Sequence, residues 1–366
     1  MMNIAFLTPG AFGLKNGNGG IGLYNRDIVD AIVEAFPEAE VTLLQRLLDP
    51  PPRQLPARTR VVEGAAGSKA KFVFAILREM LVSRYDLVIC AHINFLGFAR
   101  MLARRNNCPL VLIVYGIDVW DPLPKHIPDL RACDAIWSIS QITTDRMNAW
   151  AGLPASDYVQ LPNAIRLERY AMGPKPADLV DEWGLAGKRI VMTLARLPGR
   201  DRHKGVDEML EILPSLVAKH PDIHYVVAGD GPDRARLEAK AVELGVAGHT
   251  TFMGFVPEDR KADIFRLADV FALPGRGEGF GFVFLEAAAC GIPCVGSKVD
   301  GSREALRDGM LGELIDPDHL ADIEDAVSRA LAKPKQIPEG LDYFSWPDFV
   351  ARLKAAVIAA GTSKAS

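Results

Sequence analysis

The chain has 366 residues, of which 49% are hydrophobic and 24% are charged, and its formal net charge is −4. This composition excludes a disordered chain, and the length allows two domains with cores of their own. The longest apolar run, residues 109 to 115, is far below the roughly 18 residues that a membrane span needs, and no secretory signal is visible. We therefore expect a cytoplasmic protein whose five cysteines act as small apolar side chains in a reducing compartment.

Segments with alternating apolar residues and segments of helical period follow one another through the first half of the chain. This order is typical of parallel α/β structure, and continuous apolar runs such as residues 110–114 indicate strands that are covered on both faces. The pattern predicts strands at 3–8, 40–44, 86–91, 109–114 and 134–138, and helices at 20–35, 69–83, 94–105 and 140–149.

A glycine-rich segment, Gly17-Asn-Gly-Gly-Ile-Gly22, separates the first strand from the first helix and fits the G-x-G-x-x-G pattern of dinucleotide-binding units. Such units usually end their second strand with an acidic residue, whereas this chain has Gln45. We therefore favour a flexible loop over a phosphate-containing cleft, contacted through Gly19 and Gly20, because N–H groups at a helix start favour an anion. An NAD site is the alternative interpretation.

Polar side chains follow two further strands of the first half. His92 follows the strand at 86–91, and Tyr115 and Asp118 follow the strand at 109–114. The carboxyl ends of parallel strands form the ligand-binding edge of a doubly wound sheet, so these residues are candidates for catalytic work. A hydrogen-bonded core histidine and a turn-capping aspartate are the structural alternatives for His92 and Asp118.

The alternation stops in a polar, proline-containing segment, residues 163–187, and starts again at Arg189. We interpret this segment as the linker region before a second doubly wound domain. That domain is predicted to contain strands at 189–194, 223–228, 250–253, 269–273 and 292–296, and helices at 204–219, 232–244, 258–268 and 282–290. We expect the final amphipathic helix, 346–360, to cross back onto the first domain.

Two cations, Arg196 and Lys204, lie in the polar loop that follows the strand at 189–194. An arginine binds phosphate through two parallel hydrogen bonds and a lysine supplies a compact charge. The pair therefore suits a diphosphate whose negative charge grows as a bond breaks, and a solvated loop is the alternative.

The most informative segment of the chain is Glu278-Gly-Phe-Gly-Phe-Val-Phe-Leu-Glu286. Glycines oppose regular structure, so Glu278 is predicted to lie in a loop, where its carboxylate can accept hydrogen bonds from sugar hydroxyls. Glu286 falls early in the next helix and is a candidate for holding a ribose. Backbone N–H groups between them are predicted to be free for phosphate or sugar oxygens. These groups belong to Gly279, Phe280, Gly281, Phe282 and Val283.

A later pair of aspartates, Asp316-Pro-Asp318, spells the D-x-D pattern associated with metal-dependent sugar transfer. The proline between them favours a turn before a helix that starts at His319. We therefore expect no metal there.

Taken in order, these motifs resemble those of the retaining, nucleotide-sugar-dependent glycosyltransferases of family 4, or group 1, whose two Rossmann-like domains face each other across a cleft in the GT-B fold. The resemblance spans nearly the whole chain. It rests on Gly17 to Gly22, Leu161-Pro-Asn163, Arg196 with Lys204-Gly205, Val227-Ala-Gly-Asp-Gly-Pro232, Phe252-Met-Gly-Phe-Val-Pro257, Glu278-Gly-Phe-Gly and Leu285-Glu286-Ala.

The resemblance implies that residues 1–168 bind the acceptor, that residues 169–345 bind the donor, and that the helix at 346–366 packs back on the first domain. Arg196 and Lys204 would hold the diphosphate, and Glu278 with Gly279 to Gly281 would hold the sugar. Glu286 would hold the ribose. The nucleobase would be lined by Gly254, Phe255 and Val256.

The resemblance also implies the reaction. A hexose would pass from a UDP- or GDP-sugar to a glycan or lipid-linked acceptor with retained anomeric configuration, in surface polysaccharide or glycolipid synthesis. No metal is expected, because the cations take the place that a metal has in other glycosyltransferases. No other cofactor and no nucleic-acid partner is expected either.

The chain departs from the family pattern at Tyr115, where many members carry a histidine that hydrogen-bonds the donor sugar. A tyrosine donates a hydrogen bond but is a poor proton acceptor near neutral pH. Either Tyr115 substitutes for the histidine, or His92 and Asp118 together make the polar contacts around the reacting sugar. The departure also leaves a non-catalytic sugar-nucleotide-binding subunit as an alternative, beside the NAD(P)-dependent oxidoreductase.

The first domain contains a basic segment, since residues 53–105 carry ten arginines and lysines against three acidic residues. The helix at 69–83 within it is amphipathic. We hypothesise that this segment contacts an anionic membrane surface or a lipid-diphosphate acceptor at the cytoplasmic face of a membrane. An ordinary helix with buried leucines and solvated arginines is the alternative.

Overall fold

A computed structural model describes residues 2–12, 19–47, 55–199 and 203–362. The chain divides into two compact units, residues 1–164 with 346–366 and residues 165–345. Parts of three predicted features lie outside the described residues: Gly17 and Asn18 of the glycine-rich segment, residues 200–202 of the cation-bearing loop, and Arg53 of the basic segment.

Over the described ranges the chain forms thirteen strands, most of them separated by helices. They are β1 (Asn3–Thr8), β2 (Glu40–Gln45), β3 (Thr59–Val61), β4 (Leu87–Cys90), β5 (Leu110–Val114), β6 (Ala135–Ser138), β7 (Tyr158–Gln160), β8 (Arg189–Leu194), β9 (Ile223–Ala228), β10 (Thr250–Gly254), β11 (Val270–Leu273), β12 (Cys294–Ser297) and β13 (Glu313–Ile315). The α-helices are α1 (Gly19–Ala35), α2 (Lys69–Val82), α3 (Leu96–Asn106), α4 (Ile127–Leu130), α5 (Gln141–Ala151), α6 (Ala177–Glu182), α7 (Val206–Lys219), α8 (Arg234–Glu243), α9 (Lys261–Leu267), α10 (Val283–Ala289), α11 (Ser302–Ala305), α12 (Leu320–Leu331) and α13 (Trp346–Thr362).

The first unit is built on a seven-stranded parallel sheet in the order β3-β2-β1-β4-β5-β6-β7. Every residue of β5 is buried, as expected for a central parallel strand covered on both faces. The chain leaves β1 toward one edge and returns to β4 to build the other edge. The carboxyl ends of β1 and β4 therefore form the topological switch point at which doubly wound sheets bind ligands.

The final helix α13 completes the first unit by packing on α1. The Tyr24 and Phe349 rings meet edge to face with centroids 6.0 Å apart, and the Trp346 indole N–H donates to the Glu34 carboxylate at 2.8 Å. The predicted return of the final helix to the first domain is confirmed.

The second unit contains a six-stranded parallel sheet in the order β10-β9-β8-β11-β12-β13. Its switch point lies between β8 and β11, for the same topological reason. The predicted doubly wound α/β architecture is confirmed in both units, with strand ends within two residues of their predicted positions. Three short strands, β3, β7 and β13, were not predicted.

The segment predicted as a linker, residues 163–187, is structured for most of its length. It contains α6, and Tyr170, Leu179 and Leu185 are buried. The Lys175 ammonium donates to the Asp269 carboxylate at 2.5 Å. From Ile165 onward, this segment is part of the second unit. No helix in the described part of the chain is both long enough and apolar enough to cross a bilayer.

Candidate active site

The second unit brings the predicted donor residues to the switch point of its sheet. Arg196 follows β8, and Glu278 lies in the loop between β11 and α10. Because β8 and β11 are hydrogen-bonded neighbours whose carboxyl ends share one edge, two segments far apart in the chain supply one site.

Glu278 and Lys204 form a direct ion pair in which the Lys204 ammonium donates to Glu278 Oε1. Their side chains are 15% and 16% exposed, respectively, so the pair is largely shielded from water but still accessible. The predicted sugar-binding carboxylate and phosphate-binding cation therefore lie within one hydrogen bond of each other, as a sugar and its adjacent phosphate require.

A run of unpaired backbone donors continues from Glu278. Among the described residues, the N–H groups of Gly279 to Val283 have no hydrogen-bond acceptor, whereas the N–H group of Phe284 donates to the Gly281 carbonyl at 3.0 Å. Gly281 has a positive φ of +86°, a conformation that favours glycine at this turn. The segment thus presents successive N–H groups next to a carboxylate, which suits a ligand with both anionic and hydroxyl oxygens.

The backbone around Lys204 is packed closely against the start of the Glu278 loop. Gly205 has φ +75°, and a Cβ atom there would lie 2.6 Å from the carbonyl carbon of Pro274. The Arg276 N–H donates to the His203 carbonyl at 2.8 Å. The glycine after Lys204 is therefore required both by its conformation and by the closeness of the two loops.

Arg196 is exposed and lines a small open pocket together with Lys204, Pro198 and Asp207. Its segment runs over the glycines that follow β9: a Cβ atom at Gly229 would lie 1.9 Å from the Ala195 carbonyl oxygen. The backbone near Arg196 is thus fixed while its guanidinium remains accessible. The two predicted phosphate ligands share a pocket, as their pairing in sequence suggested.

Glu286 is buried in α10, and its Oε1 accepts from the Tyr170 hydroxyl at 2.6 Å and from the Lys261 ammonium at 3.2 Å. Burial raises the pKa of the Glu286 carboxyl, and Lys261 and the Tyr170 hydrogen bond oppose this rise. Glu286 therefore belongs to a buried polar cluster, in which Glu258 also pairs with Lys261 at 3.0 Å.

The predicted nucleobase segment follows β10. Gly254 has φ +78° and is buried, whereas the Phe255 ring is 68% exposed and Val256 is partly buried. The Gly254 carbonyl accepts from the Gly229 N–H at 2.7 Å, which ties this turn to the segment that supports Arg196. An exposed aromatic ring beside a fixed turn can stack on a planar ligand.

In the first unit, Tyr115 is buried, and its hydroxyl donates to the Asn25 side-chain oxygen and contacts the Ala91 carbonyl at 3.3 Å. Burial raises the pKa of Tyr115 well above its ordinary value. Asn25 in turn donates to the Thr8 hydroxyl at 2.8 Å. The tyrosine thus connects the ends of β1, β4 and β5 through α1, and its catalytic role stays a prediction.

Asp118 and His92 lie at the ends of neighbouring strands. Asp118 Oδ1 accepts from the Tyr115 N–H at 3.0 Å, while its Oδ2 is buried and has no partner among the described residues. Burial raises the pKa of Asp118 to about 7. His92 Nδ1 accepts from the Asn94 N–H at 3.1 Å, and burial together with His126 lowers the pKa of His92.

Gly19 and Gly20 form the exposed start of α1, with φ +53° at Gly19. Gln45 is buried at the end of β2, and its side-chain nitrogen donates to the Phe12 carbonyl at 2.7 Å. The position at which a dinucleotide-binding unit offers an acidic group to a ribose is thus occupied by an inward-facing amide.

Three residues of the site were not predicted from the sequence. Asp300 accepts a hydrogen bond from the backbone of Glu278, and Tyr170 and Lys261 hold Glu286. Each is separated from its partner by 22 to 116 residues. No local sequence pattern links such pairs.

Comparison with known protein families shows two matches that together cover most of the chain. Residues 181–340 match the family described as "Glycosyl transferases group 1", and residues 18–169 match "Glycosyltransferase Family 4". The chain is also 32% identical over 274 residues to a GDP-mannose-dependent alpha-(1-6)-phosphatidylinositol monomannoside mannosyltransferase of Mycolicibacterium smegmatis. That alignment covers 69% of this chain and 71% of the relative.

Solved structures support the fold. Sucrose-phosphate synthase from Thermosynechococcus elongatus superimposes with a TM-score of 0.80 at 19% identity, covering 98% of each chain. HepE of Anabaena in complex with UDP-glucose superimposes with a TM-score of 0.75 at 20% identity, covering 98% of this chain and 100% of HepE. The predicted GT-B fold is confirmed by these similarities.

Proposed function

The chain belongs to the glycosyl transferases of group 1, with an amino-terminal family 4 region, and on this premise we propose that it transfers a hexose from a nucleoside-diphosphate sugar to a lipid-linked or glycan acceptor. The observation that carries the proposal is the Lys204–Glu278 ion pair beside the unpaired N–H groups of Gly279 to Val283. This arrangement offers a cation, a carboxylate and amide donors to one extended polar ligand.

The proposed donor roles follow from these contacts. The Glu278 carboxylate accepts from hydroxyls of the sugar, while Lys204 exchanges its Glu278 partner for a phosphate oxygen. Arg196 supplies a second cation from the shared pocket. Phe255 and the Gly254 turn receive the base, and Glu286 receives the ribose hydroxyls from its position beside Lys261.

The proposed reaction breaks the bond between the anomeric carbon and the phosphate oxygen and forms a bond from that carbon to an acceptor hydroxyl oxygen. Negative charge grows on the departing diphosphate, where Arg196, Lys204 and the N–H groups stabilise it without a metal. The acceptor proton passes to the departing phosphate, on the same face of the sugar, which retains the anomeric configuration.

GDP-mannose is the donor that we propose first, and a glycolipid is the acceptor class, because the mycobacterial relative is described as using GDP-mannose on a phosphatidylinositol mannoside. A non-catalytic sugar-nucleotide-binding subunit is the second candidate function, and the burial of Tyr115 favours it because that hydroxyl already has partners within its own unit.

The test is a thermal-shift series with GDP-mannose, UDP-glucose, ADP-glucose and NAD(P)H. We expect a GDP- or UDP-sugar to raise the melting temperature, because a ligand at about 100 times its Kd stabilises the native state by about 2.7 kcal/mol. Lys204→Ala and Glu278→Ala should each abolish most of the shift. Lys333→Ala removes another lysine–glutamate pair of the same unit, with Glu313 at 2.9 Å, and should leave the shift intact.

Slow hydrolysis of the stabilising donor then separates the two candidate functions. Turnover that disappears in Glu278→Ala identifies an enzyme, whereas tight binding without turnover on any acceptor identifies a binding subunit. Stabilisation by NAD(P)H alone would contradict both and revive the oxidoreductase.

We also propose that α2 contacts an anionic membrane. Phe74, Leu77 and Leu81 recur at helical spacing and are 71%, 45% and 81% exposed, and Lys71 and Arg78 lie on the same exposed face. Glu79 is the acidic residue of this helix, and it is buried against Arg60. The exposed face therefore combines apolar and basic side chains, as helices at anionic interfaces do.

Vesicle sedimentation tests this contact. We expect binding to vesicles that contain phosphatidylglycerol, weaker binding at high salt, and loss of binding in the Phe74→Ser/Leu81→Ser variant. Val242→Ser alters an apolar residue of α8 that is 68% exposed and should bind like the unmodified protein. Equal binding by all variants, or no salt-sensitive binding at all, would remove the proposal.

A further inference from the structure

The backbone of Glu278 is held by a single dipeptide, Asp300-Gly301, that follows β12. The Glu278 N–H donates to Asp300 Oδ2 at 2.9 Å, and the Glu278 carbonyl accepts from the Gly301 N–H at 2.8 Å. Glu278 lies outside regular secondary structure, so these two bonds fix both of its peptide groups. The direction in which its side chain leaves the loop is therefore set by Asp300-Gly301.

Asp300 is itself firmly placed. Its residue is 1% exposed, and its second oxygen, Oδ1, accepts from the Ser302 N–H at 3.0 Å. Burial raises the pKa of Asp300 to about 6, and the nearby Glu278 carboxylate adds to this rise, while the N–H groups of Glu278 and Ser302 oppose it. A buried carboxyl beside another carboxylate is costly, and its hydrogen bonds to two backbone segments account for its presence.

The two segments approach so closely that only glycine fits at position 301. A Cβ atom there would lie 2.4 Å from the Gly279 carbonyl oxygen, although Gly301 has an ordinary negative φ of −63°. On its other side, the same loop is packed against Gly205, as described above. The Glu278 loop is thus fixed between the Lys204 segment and the Asp300 segment.

We propose that Asp300 is a positioning residue that holds Glu278 in the orientation in which its carboxylate meets the donor sugar, an inference that rests on the proposed transferase function. Asp300 is not among the described residues that line the pocket beside Arg196 and Lys204. Its loss should therefore impair the sugar end of the donor and spare the nucleoside diphosphate.

The test compares Asp300→Ala and Asp300→Asn with Asp269→Asn. Asp269 also accepts a backbone N–H, from Ile190 at 2.8 Å, but it precedes β11 and lies at the opposite end of that strand from Glu278. With GDP-mannose, UDP-glucose and their diphosphates as probes, Asp300→Ala should lower kcat roughly 10- to 100-fold, because small misplacements of positioning groups have effects of this size. The Kd of the diphosphate should stay within about threefold, because in the described structure Asp300 accepts hydrogen bonds from Glu278 and Ser302 and none from Arg196, Lys204 or the N–H groups of Gly279 to Val283.

Asp300→Asn should recover part of the lost rate. The N–H groups of Glu278 and Ser302 face different oxygens of the carboxylate, and an amide places an accepting oxygen at only one of these two positions, so Asn can serve one N–H group in the same geometry but not both. Asp269→Asn should keep the normal kcat even where it lowers the melting temperature. If Asp300 had a purely structural role, its substitution would lower the melting temperature but would not lower kcat while leaving the diphosphate Kd unchanged.

Hydrogen exchange of peptides spanning residues 277–282 supplies a readout that needs no donor. Asp300→Ala should accelerate exchange at the Glu278 amide about tenfold or more, since its acceptor is removed, and Asp269→Asn should not. Unchanged exchange, or an unchanged kcat despite faster exchange, would overturn the inference. Failure of every donor probe with the unmodified protein would instead contradict the proposed function, while the exchange result still decides whether Asp300 holds Glu278.

Discussion

The Asp118 carboxyl combines a satisfied oxygen with an unsatisfied one. Oδ1 accepts the Tyr115 N–H, whereas the buried Oδ2 finds no partner in the described part of the chain. Burial raises the pKa of Asp118 from 3.8 to about 7, because the charged form loses its hydration. The native state therefore retains a proton on Asp118 in a pH range in which the unfolded chain has released it.

This retention predicts a pH-dependent stability. Between the unfolded pKa of 3.8 and the native pKa of about 7, the native state binds more protons, so the free energy of unfolding falls as pH rises. Asp118→Asn removes the titrating group. Across this window, the free energy of unfolding of the variant should therefore fall by up to about 1.4 kcal/mol less per pH unit than that of the unmodified protein. Chemical denaturation between pH 4 and 8 measures the difference.

The control is Asp121→Asn, which alters an exposed carboxyl close by in the same loop. Its free energy of unfolding should follow that of the unmodified protein at every pH. Parallel curves for Asp118→Asn and the unmodified protein would show that the Asp118 carboxyl is charged and compensated in the native state.

The residues of the candidate site differ in how well their roles could be predicted from the sequence. Glu278, Arg196 and Lys204 stand in loops with distinctive glycine and charge patterns, and the structure gathers them at one sheet edge. Asp300 has no such signal, because its importance lies in a hydrogen bond to a residue from another loop. Tyr115 drew attention through its family position, and only the structure shows that its hydroxyl is occupied by Asn25.

Among the elements, the contact of α13 with α1 joins the two ends of the chain within the first unit. Phe349 is fully buried between the Tyr24 and Trp346 rings, with centroids 6.0 Å and 5.7 Å away. The Tyr24 hydroxyl also donates to the Leu161 carbonyl at 2.6 Å. The aromatic cluster thus connects the last helix with the beginning and the end of the first unit's sequence.

Phe349→Ala should destabilise the first unit by about 3–5 kcal/mol, the usual cost of removing a buried phenylalanine. We expect hydrogen exchange to accelerate in α1 and in α13, while strands β8 to β12 keep their protection. Ile358→Ala changes an apolar residue of the same helix that is 52% exposed, and it should have little effect. A uniform loss of protection in both units would contradict the assignment of α13 to the first unit.

Elements were predictable where they were long and apolar. The strands at the centre of each sheet show continuous apolar runs, and capped helices such as α2 and α5 begin after Ser68 and Ser140. The missed strands β3, β7 and β13 are three residues long and only partly buried, too short to display a period of two. They are strands because they hydrogen-bond to β2, β6 and β12, respectively, which are not adjacent to them in the sequence.

At the scale of the whole molecule, the repeated strand–helix alternation was sufficient to predict two doubly wound sheets, because parallel neighbouring strands need a long crossover connection, which is usually a helix. The composition of residues 163–187 marks the break between the two sheets but does not show that this segment packs through Leu179 and Leu185. Burial of a few apolar side chains in a polar stretch is decided by the surface they meet, which local sequence does not encode.

The path of the chain through its two units has a consequence for synthesis on the ribosome. The second unit is contiguous, from Ile165 to Ser345, whereas the first unit needs α13, which starts at Trp346. As the chain emerges from its amino terminus onward, the first unit begins first but is completed last. Until α13 has been made, the α1 face around Tyr24 lacks its covering helix, so a nascent chain that has just reached Ser345 contains the whole second unit while its first unit is still incomplete.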